Sequence, residues 1–167
     1  MIELHKFEKS DYNRLIDWII SEESMIQFSG PMFKYPISGD QLDNYIKPSN
    51  RMIFKVIISE TQEVIGHAEL NNVDPKNKSA RICRVLIGDP KNRNKGYGQL
   101  VIKELVRIGF NELDLHRIDL GVFDFNHQAI ECYKACGFEI EGHFRETYRV
   151  GNNYWSTYNM SILNKSL

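Results

Sequence analysis

The chain has 167 residues, 42% of them hydrophobic and 26% charged, with a formal net charge of −1. That length and balance fit one globular domain over residues 1–167 with enough apolar content for a core. A net charge near zero supplies no broad pull towards nucleic acid or an anionic membrane, and no apolar run approaches the ~20 residues of a membrane span. Met1 to Phe7 alternates like a strand and lacks the apolar core of a signal peptide. Cys83, Cys132 and Cys136 are odd in number without secretory context, so reduced thiols and a cytoplasmic setting are expected. Cys132 and Cys136 fall on one helix face, but two thiols without further ligands make a poor zinc site. They read as core packing, and no metal is expected.

Ile2 to Phe7 reads as the first strand, and Ser10 or Asp11 then caps a helix carrying Leu15, Ile16, Ile19 and Ile20. Glu22-Glu23-Ser24 is expected to end that helix. The aromatic-rich stretch from Met25 to Pro36 then reads as a covering loop. Ser38 with Gln41 fits a capping box for a short helix holding Leu42, Tyr45 and Ile46. Met52–Ser59 and Val64–Asn71 read as strands joined by a polar turn, and Ile82–Ile87 as another strand beyond a turn at Asp74–Lys78. After it, Val101, Leu105, Ile108 and Leu113 recur at helical spacing. His116–Val122 is a strand, Asp124-Phe125-Asn126 opens a helix that Gly137 stops, and the tail folds as a hairpin turning at Gly151–Asn153. The first-half strands are expected to run antiparallel, and the helix-linked later strands to pair in parallel through right-handed crossovers.

The centre of the chain is Arg93-Asn94-Lys95-Gly96-Tyr97-Gly98, between a strand and an amphipathic helix. A helix start leaves backbone N–H groups unpaired, and with the helix dipole behind them they form an anion site. Gly96 and Gly98 let the backbone approach a phosphate, while Arg93 and Lys95 add charge. The Walker spacing is absent, and a dinucleotide fingerprint would need glycine where Val101 stands. What remains is Arg-x-x-Gly-x-Gly, which on spacing alone also fits a plain helix-capping turn.

That hexapeptide resembles the acyl-coenzyme A pyrophosphate loop of the GNAT superfamily of N-acetyltransferases. Asn126, Ala129, Tyr133 and Gly137-Phe138 resemble the same family's second block, Asn-x-x-Ala-x-x-x-Tyr-x-x-x-Gly-Phe. Phe110–Ile118 and Glu141–Glu146 look more narrowly like its ribosomal-protein and polyamine branches. The resemblance implies an α/β (α+β) fold, a mixed, mostly antiparallel sheet of about seven strands with about four helices. It implies acetyl-CoA as co-substrate, held by the main chain of Leu86, Ile87 and Gly88, by Arg93 to Gln99 (Arg93, Asn94, Lys95, Gly96, Tyr97, Gly98, Gln99) and by Asn126. Tyr133 is implied as the proton donor to the departing thiolate, and its hydroxyl is a neutral donor at pH 7.

Glu69 is the candidate general base, acting through water, although Cys83 stands where many relatives carry a glutamate. Cys83 has no histidine beside it in sequence, which argues against an acyl-carrying thiol. His67 is read as structural and facing away from Glu69. The acceptor, a peptide or small-molecule amine, is expected between Glu22–Lys47 and the terminal hairpin. Phe28–Phe33 holds little acid where the polyamine branch has an acidic, aromatic cluster, which disfavours spermidine. The alternative is a coenzyme A-binding module without transfer activity. Antiparallel terminal strands offer a homodimer contact.

Overall fold

The computed structural model describes residues 1–166. Seven strands form one sheet: β1 (Ile2–Lys6), β2 (Met52–Ile58), β3 (Val64–Asp74), β4 (Ser79–Ile87), β5 (Arg117–Phe123), β6 (Glu139–Val150) and β7 (Asn153–Leu163). Their order is β1-β2-β3-β4-β5-β7-β6, and only β4 and β5 pair in parallel. The other helix-linked step does not give a parallel neighbour, contrary to the sequence expectation. The two-residue turn at Gly151-Asn152 brings β7 back along β5, so β7 inserts between β5 and β6.

Five α-helices flank the sheet: α1 (Tyr12–Trp18), α2 (Glu22–Ser29), α3 (Gly39–Tyr45), α4 (Tyr97–Arg107) and α5 (His127–Ala135). The extra one is α2. Ser21 accepts from the Ser24 N–H at 3.1 Å while its own N–H donates to Ser24 Oγ at 3.0 Å, so Glu22 and Glu23 begin a helix instead of ending one. Their carboxylates sit at its positive end, where they are favoured. Ser38 caps α3 as its spacing predicts, accepting from the Gln41 N–H, while the Gln41 side chain turns back to the main chain of Lys34 and Pro36.

Two apolar cores lie on opposite faces. One packs α4 and α5 on the sheet through Val101, Ile102, Leu105, Ile118, Leu120 and Phe138. The other packs the three N-terminal helices through Leu15, Met25, Phe28, Leu42 and Tyr45. The sheet opens between them. Pairing of β4 with β5 runs from Ser79–Arg117 only to Ile82–Leu120, and past that point the strands part. At the fork β4 bulges: His67 faces Leu86 and Glu69 faces Cys83, so Arg84 and Val85 together oppose Ala68. Arg84 takes φ +50°, a left-handed conformation that a bulky side chain adopts at a cost.

Candidate active site

Two cavities meet at the fork. The larger, about 520 Å³, lies between the end of β4, the 93–98 loop and α5. The smaller, about 250 Å³, opens on the other side, between α2, β4, β5 and Tyr148 of the hairpin. Val85, Asn126, Ala129 and Tyr133 line both. A molecule in one cavity can therefore present an atom to a molecule in the other at those four residues.

The larger cavity is built by β4 and α4. Leu86 and Ile87 line it, then Arg93, Asn94, Gly96, Tyr97, Gly98 and Gln99, then Asn126 and Tyr133. Gly96 caps α4 at φ +81° without a side-chain cap, which leaves the first-turn N–H groups open. A Cβ on Gly96 or Gly98 would meet nothing within 4 Å, so the main chain is open to a close-approaching anion. These features fit a pyrophosphate. Asn94 is tied to α5 through Gln128, and Asn126 Oδ1 accepts from the Ala129 N–H at 3.2 Å, which makes Asn126 both the N-cap of α5 and a wall of both cavities.

Two expected contacts are not walls of this cavity, and a third, Arg93, lines it while bonding the main chain. Gly88 does not line the cavity: a Cβ there would stand 1.9 Å from the Trp18 ring, so its smallness serves packing on α1. Lys95 is exposed beside the cavity and not among its walls. Arg93 is a wall of the cavity and also binds the protein itself, with Nε 3.1 Å from the Ile87 carbonyl oxygen and Nη2 2.8 Å from that of Gly88. It braces the loop against the end of β4.

Tyr133 projects from α5 into the fork. No group hydrogen-bonds its hydroxyl among the described residues, and burial raises its pKa further above the ordinary tyrosine value, with the neighbouring cysteines adding to the rise. It stays a protonated donor at every physiological pH. Cys132 lines the larger cavity, where the hydrogen bond from Cys136 lowers its pKa to about 7. Periodicity assigns both cysteines to packing, and only the position of α5 beside the cavity reveals Cys132 as a wall. Cys83 lines the smaller cavity, and burial raises its pKa, which keeps it a thiol.

Glu69 is fully buried and lines neither cavity. Arg51 Nε lies 3.0 Å from its Oε1 and Arg84 Nε 2.8 Å from its Oε2, and the Tyr45 hydroxyl donates to Oε2. Because that hydroxyl is spent on Glu69, His67 Nε2, 3.1 Å away, must donate to the Tyr45 oxygen. His67 and Glu69 thus share one face of β3, not opposite faces, as their spacing of two dictates. His67 Nδ1 is left buried without a partner. Burial, and then the nearby Arg84 charge, pushes the His67 pKa down to about 3, so it is neutral. The walls of the smaller cavity that sequence reasoning missed are Arg81, Arg84 and Tyr148. The available signal was two arginines interrupting an apolar strand.

A sheet forked beside a parallel strand pair, with a glycine loop opening a helix at the fork, makes a two-sided cleft with an anion cradle on one side. The acetyltransferase (GNAT) family model matches residues 12–138, and the chain belongs to that family. It is 30% identical over 110 residues to spermidine N(1)-acetyltransferase of Vibrio cholerae, covering 65% of this chain and 62% of that protein. It is 29% identical over 99 residues to an L-amino acid N-acetyltransferase of Escherichia coli, covering 59% and 61%. The chain thus aligns with under two thirds of the length of each. A crystal structure of the Vibrio cholerae spermidine N-acetyltransferase in complex with CoA and spermine superposes with a TM-score of 0.83 at 26% identity, covering 97% of this chain and 95% of that one.

Proposed function

We propose that the chain is one acetyltransferase domain that moves an acetyl group from acetyl-CoA to a primary amine by direct attack. The observation that carries this is the shared wall of Val85, Asn126, Ala129 and Tyr133 between two cavities. Acetyl-CoA lies in the larger cavity with its pyrophosphate on the first turn of α4. The unpaired main chain of the β4 bulge faces the thioester carbonyl and stabilises charge developing on its oxygen. The amine nitrogen attacks that carbonyl carbon, a C–N bond forms and the C–S bond breaks. Tyr133 then protonates the departing sulfur, and the products are the N-acetyl amine and CoA–SH.

The amine proton is released to water through the open acceptor cavity, whose walls carry no carboxylate among the described residues. Glu69, held by two arginines and Tyr45, fits a positioning role for Arg84 better than proton abstraction. The named relatives act on different amines, spermidine in one case and L-amino acids in another, and both remain within the primary-amine reading. A dodecameric structure of the Vibrio cholerae enzyme supports self-association here as well, to be read by light scattering. The deciding experiment is thiol release from acetyl-CoA across a panel of amino acids, peptides, amino sugars and polyamines. Coenzyme binding with no release on any amine would favour the non-catalytic module.

A further inference from the structure

The acceptor cavity has an unusual charge for an enzyme whose relatives include polyamine acetyltransferases. Among the described residues its ionisable walls, besides thiol and phenol groups, are Arg81 and Arg84, and no aspartate or glutamate lines it. Glu22 and Glu23 of α2 point to solvent at the far end of that helix from Phe28 and Gly30, which do line it.

Behind the wall the balance is also positive. Arg51 and Arg84, with side chains 10% and 7% exposed, share the single carboxylate of Glu69. Tyr45 adds no compensating charge because burial raises its pKa, with Glu69 adding to the rise, and His67 is neutral. The cluster therefore holds one buried positive charge in excess, an arrangement that is costly unless a further anion relieves it. The Arg84–Glu69 contact is close but badly aligned, so the buried Arg84 Nε donates no hydrogen bond among the described residues. Arg81 is bound through Nη1 to Asp119 and Asn159, both at 2.9 Å. Its Nη2 lies only 2.7 Å from where a Cβ of Gly121, another wall residue, would stand. Thus Gly121 leaves room for that guanidinium above the cavity floor.

Arg84 is also the residue before Val85, and Val85 touches both cavities. An anion held at Arg84 is one residue away from the point of acetyl transfer. We infer that the acceptor is an α-amino carboxylate, with its carboxylate received by Arg84 and supported by Arg81, and its amine turned to the fork at Val85 and Tyr133. A polyamine would instead carry two or more positive charges into a cavity whose fixed charge is positive. This inference rests on the acetyltransferase reading and narrows its acceptor.

The test compares glycine, methionine and phenylalanine, each as free acid, as amide and as the decarboxylated amine, together with spermidine, in steady-state CoA release. We expect at least one acid to exceed its own amide and amine by about 10- to 100-fold in kcat/KM. We expect Arg84→Lys to reduce that ratio and Arg81→Gln to reduce it by less. A second measurement needs neither turnover nor a variant that folds: calorimetric titration of the CoA-loaded protein with N-acetylphenylalanine and N-acetylphenylalaninamide, where the acid should bind more tightly. Amides or spermidine equal to or better than the acids, or equal binding of the two N-acetyl compounds, would overturn the inference while leaving acetyl transfer intact. Tighter binding of the acid without CoA release from any amine would uphold the carboxylate site at Arg84 but overturn its role in an acceptor, together with the transferase reading.

Discussion

The guanidinium of Arg93 grips the carbonyl oxygen of Gly88 at 2.8 Å and that of Ile87 at 3.1 Å, fixing the phosphate loop to the end of β4. Two charge-assisted bonds from one rigid fork hold the loop by geometry as well as charge, which lysine does not reproduce. Arg93→Ala and Arg93→Lys should therefore both weaken CoA binding about tenfold, or about 1.4 kcal/mol. Full affinity in the lysine variant, measured by titration, would mean that the charge acts on phosphate directly.

Gly96 occupies φ +81° at the cap of α4, with open space where a Cβ would stand. A β-branched residue there meets a conformational cost of about 1–2 kcal/mol and puts methyl groups where the pyrophosphate approaches. Gly96→Val should weaken CoA binding by more than tenfold. Unchanged affinity would remove this loop from the coenzyme site.

Tyr133 stands at the meeting of both cavities with an unpartnered hydroxyl. Loss of a general acid typically costs about 10²- to 10⁴-fold. Tyr133→Phe should lower kcat by at least about 10²-fold and change the CoA dissociation constant less than twofold. Parallel losses in rate and binding would show that the ring only packs.

Glu69 is the single carboxylate between Arg51 and Arg84. Glu69→Gln leaves both guanidinium groups buried and uncompensated, and the expected loss is about 3–5 kcal/mol in urea denaturation. The pH dependence of the residual activity should keep its wild-type shape. Loss of an acidic limb at unchanged stability would restore Glu69 as the base.

His67 is neutral in the folded state, its pKa pushed down to about 3 by burial and by Arg84, while the unfolded chain returns it to about 6.5. Between these values the unfolded state binds the extra proton, so stability is full above about 6.5 and falls as pH drops. From pH 7.5 to 5 this group should remove about 2 kcal/mol. His67→Gln, compared with wild type by urea denaturation at both pH values, should show that much less pH dependence. Equal slopes would place the titration elsewhere.

Some of this was settled by local order along the chain. The strand–loop–helix at Ile82–Leu113, the Asn126 cap, the Gly137 stop and the two-residue turn at Gly151 are each specified by residues a few positions apart. The larger cavity is assembled largely from them. The Ser21–Ser24 box has serine in place of the usual Glu or Gln at its third helical position, so the sequence pattern ends a helix at Glu22–Ser24 and predicts a loop from Met25 where α2 runs. Sequence places Arg93 in the anion loop, and only the fold shows that it also holds the carbonyls of Ile87 and Gly88, which come within reach when the loop folds back. The acceptor side was almost wholly tertiary. Arg84 is separated by 15 residues from Glu69 and by 39 from Tyr45, and its place at the wall depends on a register shift between β3 and β4. Sequence determined that an anion has a cradle, because the unpaired N–H groups of a glycine-opened helix are a local property. Only the folded sheet decided what stands opposite that cradle, because buried charge is compensated between strands and helices far apart in the chain.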